Sequence, residues 1–192
     1  LDRWWDIDHH EALLSRRLQR ADLLCRTGRL QEAGQEFEEL GRRLSGLLSK
    51  HARVLELRWG RDYVYFLSEI QGDIDGARVV RARCAGPDEG NHQQPHELLV
   101  MDDSIAMRSG DMQAAEVAAR ARLAYAQDSG DLVEESVAWN SLGIVFSSIG
   151  ELAESEIAYD HSLRLSRSVG DLRGEAISLH NLGILQFDRA QH

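Results

Sequence analysis

The second half of the chain carries apolar residues at the spacing of a helix face. One series runs through Leu132, Val137, Leu142, Val145 and Phe146. A second series runs through Leu152, Ile157, Leu163 and Leu165. Residues three or four apart share one side of an α-helix, whereas strands alternate every second residue. The pattern therefore predicts helices, with each series gathered on one face.

Glycines followed by a polar and then an apolar residue punctuate these helices. Gly110 and Gly150 lie 40 residues apart, and so do Gly130 and Gly170, offset from the first pair by 20. Earlier in the chain, Gly28 and Gly72 continue the series at intervals of 44 and 38. Glycine readily adopts the left-handed conformation that ends a helix. Tight turns are therefore expected about every 20 residues of the second half.

These signals predict an all-α chain of about nine helices. Pro87 and Pro95 both fall in segment 85–95, which is the one stretch that reads as a loop. The predicted helices span 6–27, 30–50, 52–71, 74–84, 96–109, 112–128, 132–148, 152–168 and 172–190.

Residues 132–144 also repeat in residues 172–184. Leu142, Gly143 and Ile144 align with Leu182, Gly183 and Ile184, and Leu132 and Glu135 with Leu172 and Glu175. A helix pair that repeats in this way leaves an apolar face open until its neighbour stacks on it. The repeat predicts a stack of antiparallel helix pairs.

The segment from Trp139 to Phe146 (WNSLGIVF) resembles the first-helix signature of the tetratricopeptide repeat, W-x2-L-G-x2-Y. Gly143 and Gly183 occupy the position where the signature has a small residue, which lets one helix of a pair lie close against the other. The second-helix signature, A-x3-F, is similar to Ala33-x3-Phe37 and to Ser155-x3-Tyr159. Earlier repeats depart from the signature, with Tyr65 and Asp103 in the place of the small residue. The period near 40 exceeds the roughly 34 of the standard repeat and is similar to the longer variant of bacterial signalling regulators.

The resemblance implies a superhelical α-solenoid in which residues 1–192 form a single repeat domain, looser over 1–95 and regular over 96–192. In the family, the first helix of each pair lines a concave groove that binds a peptide or protein. The corresponding positions here are Arg108, Asn140, Ser141, Ile144, Ser147, His180, Asn181, Ile184 and Phe187. Asn140 and Asn181 would both donate to and accept from a peptide backbone. The alternative is that these two amides only tie helix to helix.

Charge and composition exclude some classes of function. The net charge of −10, from 32 acidic and 22 basic residues, argues against nucleic-acid binding. No apolar run approaches the roughly 18 residues that suggest a membrane span. Cys25 and Cys84 lack metal-binding spacing, so we expect two reduced core residues and a cytoplasmic protein. The chain does not begin with Met and carries no targeting signal, and we expect it to be a fragment of a longer protein.

No residue pattern predicts catalysis, a metal site or a cofactor. His9, His10 and Glu11 fall short of HExxH, and Pro95 separates His92 from His96. Aromatic residues near Arg58 and Arg61 could form a partner's contact site, but aromatic residues at helical spacing are more often core. They are Trp59, Tyr63, Tyr65 and Phe66, with Trp4 and Trp5 as a separate pair near the N-terminus.

The sequence therefore favours a non-catalytic adaptor or scaffold that binds a protein or peptide in its groove. An alternative is a ligand- or peptide-sensing regulatory domain of a larger bacterial transcriptional or ATPase regulator. A third hypothesis is a homodimer formed through a repeat end, where an apolar face is uncovered.

Overall fold

The computed structural model describes residues 2–45, 47, 49–85 and 94–189, with side chains described from residue 12 onward. Nine α-helices and no strand occur in this described part. They are α1 (Asp2–Arg26), α2 (Leu30–Leu44), α3 (Lys50–Tyr65), α4 (Ile74–Cys84), α5 (His96–Ser109), α6 (Met112–Ser129), α7 (Leu132–Ser148), α8 (Leu152–Val169) and α9 (Leu172–Arg189). The prediction of an all-α fold is confirmed.

Most helix boundaries lie where the glycine spacing predicts them, but α2 is shorter. It ends at Leu44 rather than at residue 50, and Ser49 accepts a hydrogen bond from the Ala52 amide to cap α3. A serine at this position satisfies a free amide of the first turn, so α3 begins at Lys50, two residues before the predicted start. At the N-terminus, α1 begins at Asp2 rather than at residue 6.

Three turns of the second half, at Gly110, Gly130 and Gly170, combine a glycine stop with an aspartate start. Gly130 ends α6 in the left-handed conformation, at a φ of 72°. Asp131 follows at once and accepts hydrogen bonds from the amides of Val133 and Glu134, which cap α7. The pair therefore closes one helix and opens the next without an intervening loop.

The last turns of the α3 region widen into a π-helical segment, Phe66–Gln71. Phe66, Leu67 and Ser68 are all buried there, although three consecutive residues of an α-helix would point in different directions. This segment falls within the looser half of the repeat series.

The chain divides into two compact units, Leu1–Ile105 and Ala106–His192. In the first, α1 packs on α2 and α3 on α4, around a core that includes Leu14, Phe37, Trp59 and Phe66. In the second, α7 packs between α6 and α8, and α9 packs on both α8 and α7. Each unit is a stack of neighbouring helices. That the whole chain forms one repeat domain stays a prediction.

The placement of each apolar series on one face is wrong in detail. Leu142 and Val145 are buried, but Leu132 and Val137 are 43% and 41% exposed, and Ile157 is 58% exposed. The reason is that residues five apart, such as Leu132 and Val137 or Leu152 and Ile157, lie about 140° apart around a helix and cannot share one face.

Candidate functional site

Most of the predicted site residues lie on the solvent side of α7 and α9. On α7, Asn140, Ser141, Ile144 and Ser147 are half-buried. On α9, His180, Ile184 and Phe187 are exposed, and Asn181 is half-buried. Arg108 is exposed near the end of α5.

Asn140 and Asn181 meet across the contact between α7 and α9. The Asn181 side-chain nitrogen donates to the Asn140 side-chain oxygen at 2.8 Å. The two residues are 41 apart, one more than the repeat, so the bond runs diagonally between the helices. The side-chain amides therefore do tie helix to helix.

This bond leaves hydrogen-bonding capacity on both side chains. A primary amide has two donor hydrogens and an acceptor oxygen. Within the described residues, the Asn140 nitrogen and the Asn181 oxygen have no further partner. A donor from α7 and an acceptor from α9 thus remain at the solvent edge, the pair of groups that a peptide bond requires.

Three exposed apolar residues on the same side of α7 and α9 were missed by the sequence analysis. Val133, Val137 and Ile177 are 48%, 41% and 41% exposed. Val137 and Ile177 occupy equivalent repeat positions, so the exposed pair recurs with the 40-residue period. The 40-residue period could have revealed Val137 and Ile177 as a pair, but Val137 had been placed on one face with Leu142.

Together these residues form a continuous strip, here called the α7–α9 strip. Ile184 and Phe187 are its most apolar exposed members on α9, at 47% and 64% exposure. Its full membership is Val133, Val137, Asn140, Ser141, Ile144, Ser147, Ile177, His180, Asn181, Ile184 and Phe187. None of these residues is a carboxylate, lysine or arginine, but two exposed charged residues lie on the same side of α9. Arg173 holds the repeat position of Val133, and Asp188 lies one turn after Ile184.

Nearby carboxylates are held by partners outside the strip. Glu134 pairs with Arg122 at 2.6 Å, and both side chains are largely buried. Glu175 pairs with Arg167 at 2.8 Å. These pairs neutralise two of the acidic residues next to the strip.

Close packing against α8 fixes the position of α7. A Cβ at Gly143 would lie 2.5 Å from Cδ1 of Tyr159, so only glycine allows the present approach. The Ser155 hydroxyl donates to the Gly143 carbonyl at 2.8 Å. The role predicted for Gly143 is thus confirmed, whereas a Cβ at Gly183 meets nothing within 4 Å among the described residues.

Buried serines join α7, α8 and α9. The Ser136 hydroxyl lies 2.7 Å from that of Ser166, and the Ser162 hydroxyl lies 2.9 Å from that of Ser178. Ser136 and Ser162 are themselves 3.2 Å apart, which connects the two pairs. Directional bonds in a buried contact fix the relative register of the helices that carry the strip.

The predictions about metal-binding and aromatic residues have mixed outcomes. No group of three or more metal-binding side chains occurs in the part of the chain that the structure describes. The side chains of Trp4, Trp5, His9, His10 and Glu11, and His92 as a whole, lie outside the described residues. In the first unit Trp59 and Phe66 are core, as predicted, but Tyr65 is 57% exposed.

The two cysteine thiols are free. Cys84 is fully buried against Gly60, and burial raises the pKa of its thiol to about 11. Cys25 is only partly buried, and burial is also the main cause that raises its pKa. Thiols that hold their protons are poor nucleophiles and poor metal ligands.

A small open pocket of about 340 Å³ lies among α2, α3 and α4. Its floor is formed by Gly41, Trp59 and Tyr63, and its rim includes Glu38 and Arg42. The guanidinium of Arg83 covers the Trp59 ring at 4.4 Å and donates to the Gly41 carbonyl. The Arg83 side chain is therefore already engaged with the pocket's own wall.

Models of known protein families and curated proteins give no match to this chain. No described helix has the length and apolarity to cross a membrane.

Proposed function

We propose that the chain is a non-catalytic module that binds a protein or peptide on the α7–α9 strip and acts as an adaptor or scaffold. The observation that carries this proposal is the exposed apolar strip around the Asn140–Asn181 bond. Exposed apolar surface is costly in water and often marks an interaction site.

The distribution of polar groups supports a peptide ligand in extended conformation. An extended segment presents backbone donors and acceptors along its length and side chains on alternate sides. The free Asn140 nitrogen and Asn181 oxygen match one peptide unit. Ile144, Ile184 and Phe187 then contact apolar side chains of the ligand.

The exposed apolar residues on α6 and in the middle of α8 do not form a comparable surface. Val117 on α6 and Ile157 on α8 are 67% and 58% exposed. Neither has an exposed large apolar residue three or four positions away on its own helix, whereas Val133 has Val137 and Ile184 has Phe187. Isolated exposed apolar residues are ordinary surface.

Selection from a phage-displayed library of random peptides tests the proposal. Peptides selected on the wild-type chain should bind the Ile184→Ala, Phe187→Ala double variant at least about tenfold more weakly, since each loses a contact worth about 1 kcal/mol or more. The Asn140→Ala, Asn181→Ala double variant should show a comparable loss by calorimetry.

Ile157→Ala is the matched control, because it removes an exposed isoleucine of similar accessibility from the neighbouring helix. Selected peptides should bind this variant as tightly as the wild type. If no peptide is enriched, or if the Ile157 and strip variants lose affinity equally, the strip is not the binding site.

A further inference from the structure

Helix α9 repeats the surface by which α7 binds α8, but the described residues leave most of that surface exposed on α9. On α7 it consists of Ser136, Trp139, Leu142, Gly143 and Phe146, all buried or half-buried. The equivalent positions on α9, each 40 residues later, are Ala176, Leu179, Leu182, Gly183 and Gln186.

Here we call these five α9 residues the Gly183 face. Leu179 is 46% exposed, and Ala176, Gly183 and Gln186 are exposed as well. This face lies on a different side of α9 from Ile184, since residues 100° apart around a helix point in different directions. It is distinct from the α7–α9 strip.

The packing of α8 on α7 defines which side chains fit such a face. Tyr159 lays its ring against the bare backbone of Gly143, and Ser155 donates to the Gly143 carbonyl. Ala158 is buried between them. The fitting helix therefore carries a small hydroxyl residue and an aromatic residue four positions later on the same side.

Gly183 offers the same two features to an incoming helix. A Cβ placed there meets nothing within 4 Å among the described residues, so the space that Tyr159 fills at Gly143 is open at Gly183. Its helical carbonyl retains a second lone pair for a hydroxyl donor. Leu179 and Leu182 supply apolar area on either side.

We propose that the Gly183 face binds an amphipathic helix of the α8 type, antiparallel to α9, with an aromatic ring on Gly183 and a serine or alanine one turn before it. The occupant is a helical segment with this Ser/Ala-x3-Tyr/Phe pattern. The inference goes beyond the proposed function, because it concerns another side of α9 and another class of ligand conformation.

Two substitutions within the repeat refine the expected partner. Ala176 stands where α7 has Ser136, so the hydroxyl partner that Ser166 finds on α7 is missing on α9. Gln186 stands where α7 has Phe146, so a polar side chain replaces an aromatic one at this end of the face. The partner is thus similar to α8 without being identical to it.

The probe is a synthetic peptide of residues 151–170, the α8 sequence itself, carrying a fluorophore. Isolated helices of this length are marginal in water, so a lactam bridge from Asp160 to a lysine introduced by Arg164→Lys holds the peptide helical. Both positions are exposed on α8 and do not touch α7. Fluorescence anisotropy of this peptide with the full chain should rise to saturation.

Gly183→Leu in the chain should weaken this binding at least tenfold, because its side chain fills the space meant for the ring. Tyr159→Ala in the peptide should weaken it similarly. Two chain variants serve as controls and should leave binding unchanged: Asp188→Leu, which adds the same side chain on another side of α9, and Ile184→Ala, which alters the strip. Circular dichroism confirms that each variant is folded, and Leu179→Glu replaces Gly183→Leu if the latter is not.

Three outcomes would overturn the inference. One is the absence of saturable binding. A second is equal binding to wild type and Gly183→Leu, which would mean that the peptide displaces the chain's own α8. A third is concentration-dependent dimerisation in sedimentation that Gly183→Leu abolishes, which would make a second copy the occupant. The strip's peptide selection is independent of all three.

Discussion

The ring of Tyr159 lies directly against the backbone of Gly143, in the space where any other residue would place a Cβ. Gly143→Ala should therefore destabilise the second unit by about 2 kcal/mol, the usual cost of forcing extra volume into a packed contact. Urea unfolding followed by circular dichroism measures the change.

Gly183→Ala is the matched substitution, because Gly183 holds the same repeat position on α9 with nothing within 4 Å among the described residues. Alanine is favoured over glycine inside a helix, so this variant should be more stable by about 0.5–1 kcal/mol. Equal effects of the two alanines would show that the Gly143–Tyr159 contact does not restrict residue size.

The pair of Arg122 and Glu134 joins α6 to α7 with side chains only 7% and 13% exposed. Glu134→Gln should cost about 3 kcal/mol, because it leaves the Arg122 charge buried beside a neutral amide. Thermal unfolding of the variant provides the test.

Glu116→Gln is its control, since Glu116 pairs with Arg120 at a similar distance but nearer to solvent. Exposed pairs contribute about 0–1 kcal/mol. A loss at Glu134 no larger than that at Glu116 would contradict the importance of burial here.

The buried serines predict a third difference in stability, between a buried and an exposed serine-to-alanine substitution. Ser162→Ala should destabilise the second unit by about 1–2 kcal/mol, because the buried Ser178 hydroxyl loses a partner 2.9 Å away. Ser168→Ala, at an exposed site on the same helix, should change stability by less than about 0.5 kcal/mol. Denaturant titration distinguishes the two, and identical midpoints would show that the serine bonds contribute nothing net.

Cys84 predicts a loss of stability at alkaline pH. Its pKa is raised from 9.0 to about 11 in the folded chain, so the folded state holds the thiol proton more tightly than the unfolded state does. This contribution is complete below pH 9 and is lost as the pH rises through about 11. Tyr63 and Tyr159, whose pKa values are also raised by burial, act in the same direction.

Cys84→Ala separates the thiol from the tyrosines. The variant should lose less stability than wild type between about pH 8 and pH 10, roughly one unit either side of the reference thiol pKa of 9.0, as measured by urea midpoints. An unchanged pH slope would mean that Cys84 does not remain protonated in the folded chain.

The glycine series was enough to predict most of the fold. A glycine followed by aspartate encodes both the end of one helix and the cap of the next, and this signal is local. The early end of α2 depends on the Ser49 cap, which carries no glycine and was therefore missed. The π-helical segment at Phe66–Gln71 gave no recognisable signal, because its burial pattern depends on residues from α2 packing against it.

The candidate site was predictable only in part. The periodicity placed Asn140 and Asn181 on facing helices. It did not predict the diagonal hydrogen bond between them, because that bond depends on the offset between α7 and α9. Val137 was placed on one face with Leu142, although residues five apart lie about 140° apart around a helix. Exposure is a tertiary property that spacing alone does not determine.

Only Ser178 and Leu185 are buried on α9, whereas six residues are buried on α7. A helix with so little buried surface undocks at low free energy, well before the rest of its unit unfolds. Half of the α7–α9 strip therefore exists only while α9 is docked, and a ligand that spans both helices holds α9 in place. The affinity for the ligand then depends on the fraction of molecules in which α9 is docked. A substitution in the α8–α9 contact would therefore change the affinity without contacting the ligand. Protection of the α9 backbone amides from hydrogen exchange would report how much of the strip is occupied.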